Sequence, residues 1–392
     1  MKIVAFLGEK FVSVSGVHYT RETSAAFLQD MIGVDSVKVI SQSIVGENSP
    51  EGAGTIIKED NFYSSPWYDS TMDFVKKSIF KKGYLRKFID VCDKAILENQ
   101  DSIFWARTPS IGSVIFALRV IKHNRSLVNH ICADGFNTWK DRKYKGVNKV
   151  LAFVFAQILK QLLIKICKYE NVQNLCTGQA LFDFSAKHNK ENTYQFVDTM
   201  VKRISSNQRS TSNKELLNCL FVGRLTEDKG IFELLSVAKR LSGKVKFHVV
   251  GGGEIRSELE KRILLDGLES SVIFYGQVKN HDVIELYKIA DFVAVPSKNN
   301  YEGFPRVIME SWSSGKPVVV SDVGGIHAFV KDGVNGFIVP PGDVDELEVA
   351  ILKFCNKKTL DDISSNLNQI QKYTLQAYWA EKAKEIIKNQ FG

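Results

Sequence analysis

The stretch N-C-L-F-V-G-R-L-T-E-D-K-G, residues 218–230, decides the fold. It reads as an apolar strand ending at Gly223, a turn bearing Arg224 and Lys229, and the start of an apolar-periodic helix at Ile231. Strand, glycine turn and helix then recur. K-F-H-V-V-G-G-G-E (246–254) is a strand running into three glycines and another helix, further strands are predicted at 271–278 and 290–297, and the series continues with K-P-V-V-V-S-D-V-G-G (316–325) and N-G-F-I-V-P-P-G-D (335–343). Fifteen of the 27 glycines lie between Gly223 and Gly342, mostly just after these strands. Ligands of an open α/β sheet bind at the strand ends, so this half is expected to hold a nucleotide-type ligand. It has neither G-x-x-x-x-G-K-[ST] nor a clean G-x-G-x-x-G, which disfavours a P-loop NTPase and an ordinary dehydrogenase.

Downstream, Y-E-G-F-P-R-V-I-M-E (301–310) places a loop carboxylate, Glu302, directly before a helix opened by Phe304 or Pro305, with Glu310 a turn into it. Gly303 allows close approach to the helix amides, which form an anion site, while carboxylates accept hydrogen bonds from hydroxyls. A ligand combining phosphates with hydroxyls suits this arrangement.

Upstream, residues 1–210 also alternate between strand and helix patterns, as in a parallel sheet. K-I-V-A-F-L-G (2–8) is too short for a signal peptide and reads as a first strand. A loop through Ser15, Gly16 and Val17 leads to a helix from Thr20 to Met31, so Gly16 stands where a doubly wound sheet places a ligand. Strands follow at 37–40, 102–106, 127–133 and 174–178. The polar run from Ser205 to Lys214 reads as a linker. The expected organisation is therefore a first domain over 1–210 and a second from 211.

At 392 residues the chain suffices for two domains. Six scattered cysteines without a C-x-x-C pair argue against a disulfide framework or zinc site and for a reducing compartment. Net charge is +8, and its excess lies wholly in residues 1–210, with 29 Lys and Arg against 20 Asp and Glu. The rest is nearly balanced, so the anionic partner belongs to the first half. Between Lys76 and Lys87 six basic residues alternate with Phe74, Ile79, Phe80 and Leu85, without an acid. That segment suits either an anionic membrane surface or a solvated helix face. Residues 140–168 are greasier, and core burial is the expectation there. Their apolar run, 150–166, is broken by Gln157, Lys160, Gln161 and Lys165 and falls short of the roughly 20 residues of a membrane span. No nucleic-acid recognition module is present. Asp343-Val344-Asp345 reads as a helix N-cap rather than a metal ligand pair.

As a set, G-R-L-x-x-x-K-G (223–230), V-V-G-G-G (249–253), F-Y-G (274–276), E-G-F-P-x-x-x-x-E (302–310) and Gly324-Gly325 resemble retaining glycosyltransferase family 4. The resemblance covers most of 216–345. It implies the GT-B fold: two facing Rossmann-like domains, the first (1–210) for acceptor and the second (211–372) for a nucleotide-sugar donor, with a C-terminal helix over 373–392 crossing back to the first.

It further implies that Arg224 and Lys229 hold the donor diphosphate, Glu310 the ribose, and Glu302 the sugar. Gly252, Gly276, Gly303 and Phe304 line the donor, with Gly276 near the base. The reaction implied is transfer of a hexose-type sugar to a lipid-linked or surface-polysaccharide acceptor. Neither cofactor nor metal is implied, and the setting is cytoplasmic, at the inner face of the membrane. The chain departs from the family twice. Where relatives carry a histidine, V-N-H-I-C-A-D-G-F-N puts His130 inside a strand and Asp134 at its end, making Asp134 the acceptor-side candidate. The glutamate common three residues after the glycine pair is Ala328, so sugar preference cannot be copied from relatives. A nucleotide-sugar epimerase and a non-catalytic scaffold are the alternatives.

Overall fold

The computed structural model describes residues 1–50, 52–140, 144–205, 216–278, 280–299 and 301–391, with backbone only at 280 and 281. Contacts divide the chain into Met1–Met200 with Trp379–Gly392, and Val201–Tyr378. The expected linker and the domain boundary at 210 fall largely outside the described residues.

The first unit runs β1 (Ile3–Val14), β2 (Val17–Arg21), α1 (Ser24–Ile32), β3 (Val37–Val45), β4 (Ala53–Lys58), β5 (Phe62–Ser64), α2 (Thr71–Phe80), α3 (Tyr84–Leu97), β6 (Ile103–Thr108), α4 (Ile111–Lys122), β7 (Leu127–Ile131), α5 (Gly146–Cys167), β8 (Val172–Cys176), α6 (Gln179–Ala186) and β9 (Thr193–Gln195). Strands β5, β3, β1, β6, β7, β8 and β9 are parallel neighbours in that order. Helices α2 to α5 share one core against the sheet, centred on Phe6, Phe88, Phe104, Phe116 and Leu163. Four of the five are aromatic, and the Phe6 ring lies 5.8 Å from Phe88 and 6.0 Å from Phe116.

The sequence reading of the chain's start needs correction. The first strand does not stop at Gly8; its register shifts between Phe6 and Lys10 and it continues to Val14. Ser15 and Gly16, both at positive φ, then turn it back into β2, antiparallel to it. Two central residues with positive φ make the primed turn that suits strand twist. Gly16 is thus a hairpin tip, not a strand-to-helix turn, and its expected ligand position is lost. The helix starts at Ser24, after β2, not at Thr20. Gly8 and Glu9 stand at the register shift, where the pairing of β1 with β6 has ended and before its parallel pairing with β3 resumes at Lys10.

The second unit runs β10 (Leu217–Val222), α7 (Ile231–Arg240), β11 (Val245–Val250), α8 (Arg256–Leu265), β12 (Val272–Gly276), α9 (Asn280–Ile289), β13 (Phe292–Val295), α10 (Arg306–Ser313), β14 (Val318–Ser321), β15 (Gly336–Val339), α11 (Val344–Phe354) and α12 (Lys357–Leu367). All six predicted strands are present. Every pairing is parallel, in the order β12-β11-β10-β13-β14-β15. The chain winds outward from β10 to β12 and returns beside β10 as β13, so the crevice between β10 and β13 is the switch point of the sheet. Asp343 caps α11 as read, accepting from the amides of Asp345 and Glu346.

Helix α13 (Gln376–Phe391) closes the chain, and Trp379 begins the part assigned to the first unit. There the buried Trp379 ring meets Phe196 edge-on at 6.0 Å, and Phe196 meets Phe27 of α1 at 5.5 Å.

The expectation of burial for residues 140–168 holds for only one face of α5. Ala156, Leu159, Leu163, Ile166 and Cys167 are buried, but Val147, Val150, Leu151, Phe153, Val154 and Ile158 are exposed. By length and composition alone, the 22-residue α5 is long and apolar enough to cross a membrane, where the sequence reading expected it to fall short.

Candidate functional site

In the second unit the loop after β10 is pinned by Leu225. Its side chain is fully buried, and its amide donates to the Gly252 carbonyl at 2.9 Å. Arg224, next to it, is exposed. Among the described residues its guanidinium makes no ion pair or side-chain hydrogen bond. The Gly251 amide in turn donates to the Gly276 carbonyl at 2.8 Å, so the turns after β10, β11 and β12 form one continuous rim.

Across the switch point the loops after β10 and β13 meet. Lys229 ends a short 3-10 turn, and its Nζ donates to both carboxylate oxygens of Glu302, each at 2.7 Å. The pair is half-buried, with side chains 15% and 24% exposed. The Glu302 loop is held from below as well. Its amide donates to Asn299, whose side-chain amide donates to Asp228 at 2.8 Å, as does the Tyr301 hydroxyl at 3.1 Å. Burial works to raise the Asp228 carboxyl, but these hydrogen bonds and the Lys229 charge outweigh it and hold it below the usual range. Asp228 is therefore an ionised post that fixes the loop carrying Glu302.

The glycine pair serves the same loop. A Cβ on Gly324, at φ 58°, would lie 1.9 Å from the Glu302 carbonyl oxygen, and the Gly325 amide donates to the Gly303 carbonyl at 2.6 Å. Only glycine permits that approach. Pro305 is the N-cap rather than the first helical residue, and α10 begins one position later, at Arg306. Phe304 is buried, edge-on to Phe329 at 4.9 Å, so its ring anchors the loop and only its backbone is left for a ligand.

Glu310 lies on α10, where the Tyr287 hydroxyl donates to its Oε2 at 2.8 Å. Burial pushes the Glu310 carboxyl up, against the opposing effects of Tyr287 and of the Arg306 charge. Among the described residues its Oε1 has no hydrogen-bond donor, which leaves one oxygen for a ligand hydroxyl. Tyr287 had no signal of its own in the sequence. The hydroxyl–carboxylate contact spans α9 and α10.

The two remaining candidates lie in the first unit. Asp134, just beyond β7, accepts from the amides of Phe136 and Asn137 and from the Asn137 side chain at 2.6 Å, so it caps its own turn. Burial raises its carboxyl against those bonds. His130 is a satisfied core histidine, 3.0 Å from the Thr177 hydroxyl and edge-on to Phe196.

A charged cluster at the register shift of β1 escaped the sequence reading. Glu9 accepts from the Thr23 hydroxyl and from the Ser24 amide at 2.8 Å, which places it at the N-terminus of α1. Its Oε2 is buried without a hydrogen-bond partner among the described residues. Burial pushes the Glu9 carboxyl up, against Thr23, the Arg107 charge and the amides of Ser24 and Ala25. Arg107 Nε also donates to Asp198 at 3.4 Å. The available signal was the Gly8-Glu9 pair directly after the first apolar run.

Residues 202–374 match the family described as glycosyl transferases group 1. An uncharacterized glycosyltransferase of Methanocaldococcus jannaschii is 39% identical over 130 residues, 33% of each chain. A UDP-Gal:alpha-D-GlcNAc-diphosphoundecaprenol alpha-1,3-galactosyltransferase of Escherichia coli is 24% identical over 249 residues, 61% of this chain and 62% of that one. The chain thus covers less than two thirds of either relative's length. Among solved structures, the Anabaena protein HepE in complex with UDP superposes over 99% of this chain and 100% of its own, with a TM-score of 0.70 at 19% identity. That likeness shows the fold, GT-B with two parallel-sheet domains.

Proposed function

Taking residues 202–374 as a glycosyl transferases group 1 domain on a GT-B chain, we propose that the protein is a retaining glycosyltransferase. It moves a hexose-type sugar from a nucleoside diphosphate to a lipid-linked or surface-polysaccharide acceptor. The observation that carries this reading is the paired Lys229 and Glu302 at the switch point, on a rim that also presents the exposed Arg224 side chain.

Arg224 and Lys229 grip the diphosphate, the first as a bidentate fork and the second as a point charge. Glu310, through its open oxygen, accepts from the ribose hydroxyls, and Glu302 lies beside the sugar. Gly252, Gly276 and the backbone at Gly303 and Phe304 border the donor. As the bond from the anomeric carbon to the phosphate oxygen breaks, positive charge builds on the sugar as in other glycosyl transfers. The acceptor oxygen bonds to that carbon from the same face, and its proton passes to the departing phosphate. Two cations stabilise the charge that develops there, so this scheme requires no metal. Asp134 is assigned a positioning role through its turn on the acceptor side, and the cytoplasmic face of the membrane is the setting.

The test is acceptor-dependent release of nucleoside diphosphate from a panel of nucleotide sugars, with the product's anomeric configuration read by NMR. Wild-type turnover in an Arg224→Ala, Glu302→Ala double variant would overturn the site. Sugar interconversion without acceptor would replace the reading with an epimerase, and donor binding without turnover with a scaffold.

A further inference from the structure

Helix α5 carries two apolar faces, and the first unit covers only one. Its buried side chains, from Ala156 to Cys167, take one side. Val147, Val150, Leu151, Val154 and Ile158 recur at i, i+3, i+4, i+7 and i+11, so they align as a single stripe on the opposite side. All five are exposed, Val147 by 76%. Length explains why. At 22 residues α5 measures about 33 Å, whereas its flanking strands β7 and β8, of five residues each, span about 17 Å. The helix packs onto the sheet with its C-terminal half and overhangs the carboxyl edge with its N-terminal turns.

The α2–α3 junction belongs to the same edge. Helix α3 leads down into β6, so its start lies by the carboxyl ends of the parallel strands, as does the start of α5. At that junction Ile79 and Phe80 are 69% and 84% exposed, beside Lys81 and Lys82. Charge completes the pattern. Residues 144–169 contain five lysines and no Asp or Glu, and residues 76–87 contain six basic residues and no acid. Lys77 is spoken for by Asp73 at 2.7 Å, and the Lys76 charge also acts on Asp73, while Lys81, Lys82, Lys145, Lys165 and Lys168 have no acidic partner among the described residues.

We infer that the exposed stripe of α5, together with the α2–α3 junction, docks the first unit on a lipid surface bearing anionic headgroups. The helix lies on the surface and does not cross it. Crossing would pull Leu159, Leu163 and Ile166 out of the core they share with Phe6 and Phe104. An apolar stripe that enters the headgroup boundary, with cations around it, is the pattern of an interfacial helix. A second copy of the chain would satisfy the stripe but would bring the lysine-rich surfaces of both copies together. The inference does not rest on the transferase reading.

The test is cosedimentation of the full chain with phosphatidylcholine vesicles, with and without phosphatidylglycerol. Wild type should bind only the anionic vesicles, and less at high salt. Val150→Glu with Val154→Glu should weaken partitioning by at least about tenfold, and Lys81→Gln with Lys82→Gln by about fivefold per lysine. Circular dichroism melting checks folding, and Val150→Ser with Val154→Ser replaces the glutamate pair if that variant fails to fold. Wild type left in the supernatant, equal binding to uncharged vesicles, or unchanged binding of the folded stripe variant would each overturn the proposal. So would a sedimentation-velocity dimer that the stripe variant dissociates, since the stripe would then belong to a second copy.

Discussion

The Lys229 ammonium sits 2.7 Å from both carboxylate oxygens of Glu302, bridging two loops whose residues are 73 positions apart. In the absence of donor the lysine charge is therefore already neutralised. An arriving diphosphate has to compete with Glu302 for it. Replacing Glu302 by Gln keeps the shape and removes the competitor. Nucleoside diphosphate should then bind more tightly, by about 1 kcal/mol or roughly fivefold, within the range of partly exposed ion pairs. Turnover should fall, because the carboxylate beside the sugar is gone. Calorimetric titration with nucleoside diphosphate and steady-state kinetics read the two effects separately; weaker nucleotide binding would contradict the competition. Lys229→Ala should lower kcat by about 10²–10³, the usual cost of losing one donor that stabilises developing charge.

Glu310 gives a pH signature. Burial raises its carboxyl in the folded protein, so the folded state holds that proton more tightly than the unfolded chain. The contribution to stability is then fully present below the unfolded-state value and is lost as pH rises through the folded-state value. Glu310→Gln should abolish that slope and raise stability at neutral pH, since Tyr287 can still donate to the amide oxygen. Donor affinity should fall in the same variant, because an amide presents one acceptor where the carboxylate presents two. Denaturant melts of both proteins across the acid-to-neutral range, with a donor titration at neutral pH, measure the trade.

How far the sequence spoke depended on what each residue's neighbours were. In the second unit nearly every turn glycine follows a short apolar strand, so β10 to β15 and the rim at Gly252 and Gly276 were legible from spacing alone. Glu302, Glu310 and Lys229 are each legible as site residues, but the Lys229–Glu302 contact and the Tyr287 partner of Glu310 are not. Lys229 meets Glu302 only because the chain reverses direction between β10 and β13, a consequence of topology rather than local pattern. In the first unit Gly8 looked like the end of a strand, yet it marks a bulge through which β1 continues. The reading therefore took Gly16, a hairpin tip, for a strand-to-helix turn. The two faces of α5 are both apolar in the sequence, and only its packing on the sheet shows which one is covered.

Two glycines separate loop strain from contact. Gly324 has φ 58° and a Cβ position 1.9 Å from the Glu302 carbonyl oxygen, whereas Gly16 has φ 75° with nothing within 4 Å. Gly324→Ala should cost about 3 kcal/mol, combining backbone strain with a displaced loop, and should lower activity with it. Gly16→Asn should be nearly neutral in stability and activity, since asparagine tolerates this conformation in a primed turn. Thermal melts and turnover of the two variants check both. Lost activity in a stable Gly16→Asn protein would restore Gly16 to the donor site.

Asp134 and Glu9 divide the remaining question of an acceptor-side base. Three hydrogen bonds to the Asp134 carboxylate come from its own turn. Asp134→Asn keeps the two amide contacts to Oδ1 but sets a side-chain NH2 against that of Asn137, at a cost of about 1–2 kcal/mol. As a positioning residue it should change kcat by no more than about threefold, against the 10²–10⁴ typical of a general base, and should leave the pH profile in place. Glu9 differs in keeping a buried oxygen without a partner. Glu9→Gln preserves the acceptor oxygen for Thr23 and Ser24 while removing the charge that faces Arg107. If proton transfer goes to the departing phosphate, neither variant should erase the acidic limb of the kcat/KM profile. Loss of that limb in one of them, with its fold intact by circular dichroism, would identify that carboxylate as the base and displace the phosphate from the role.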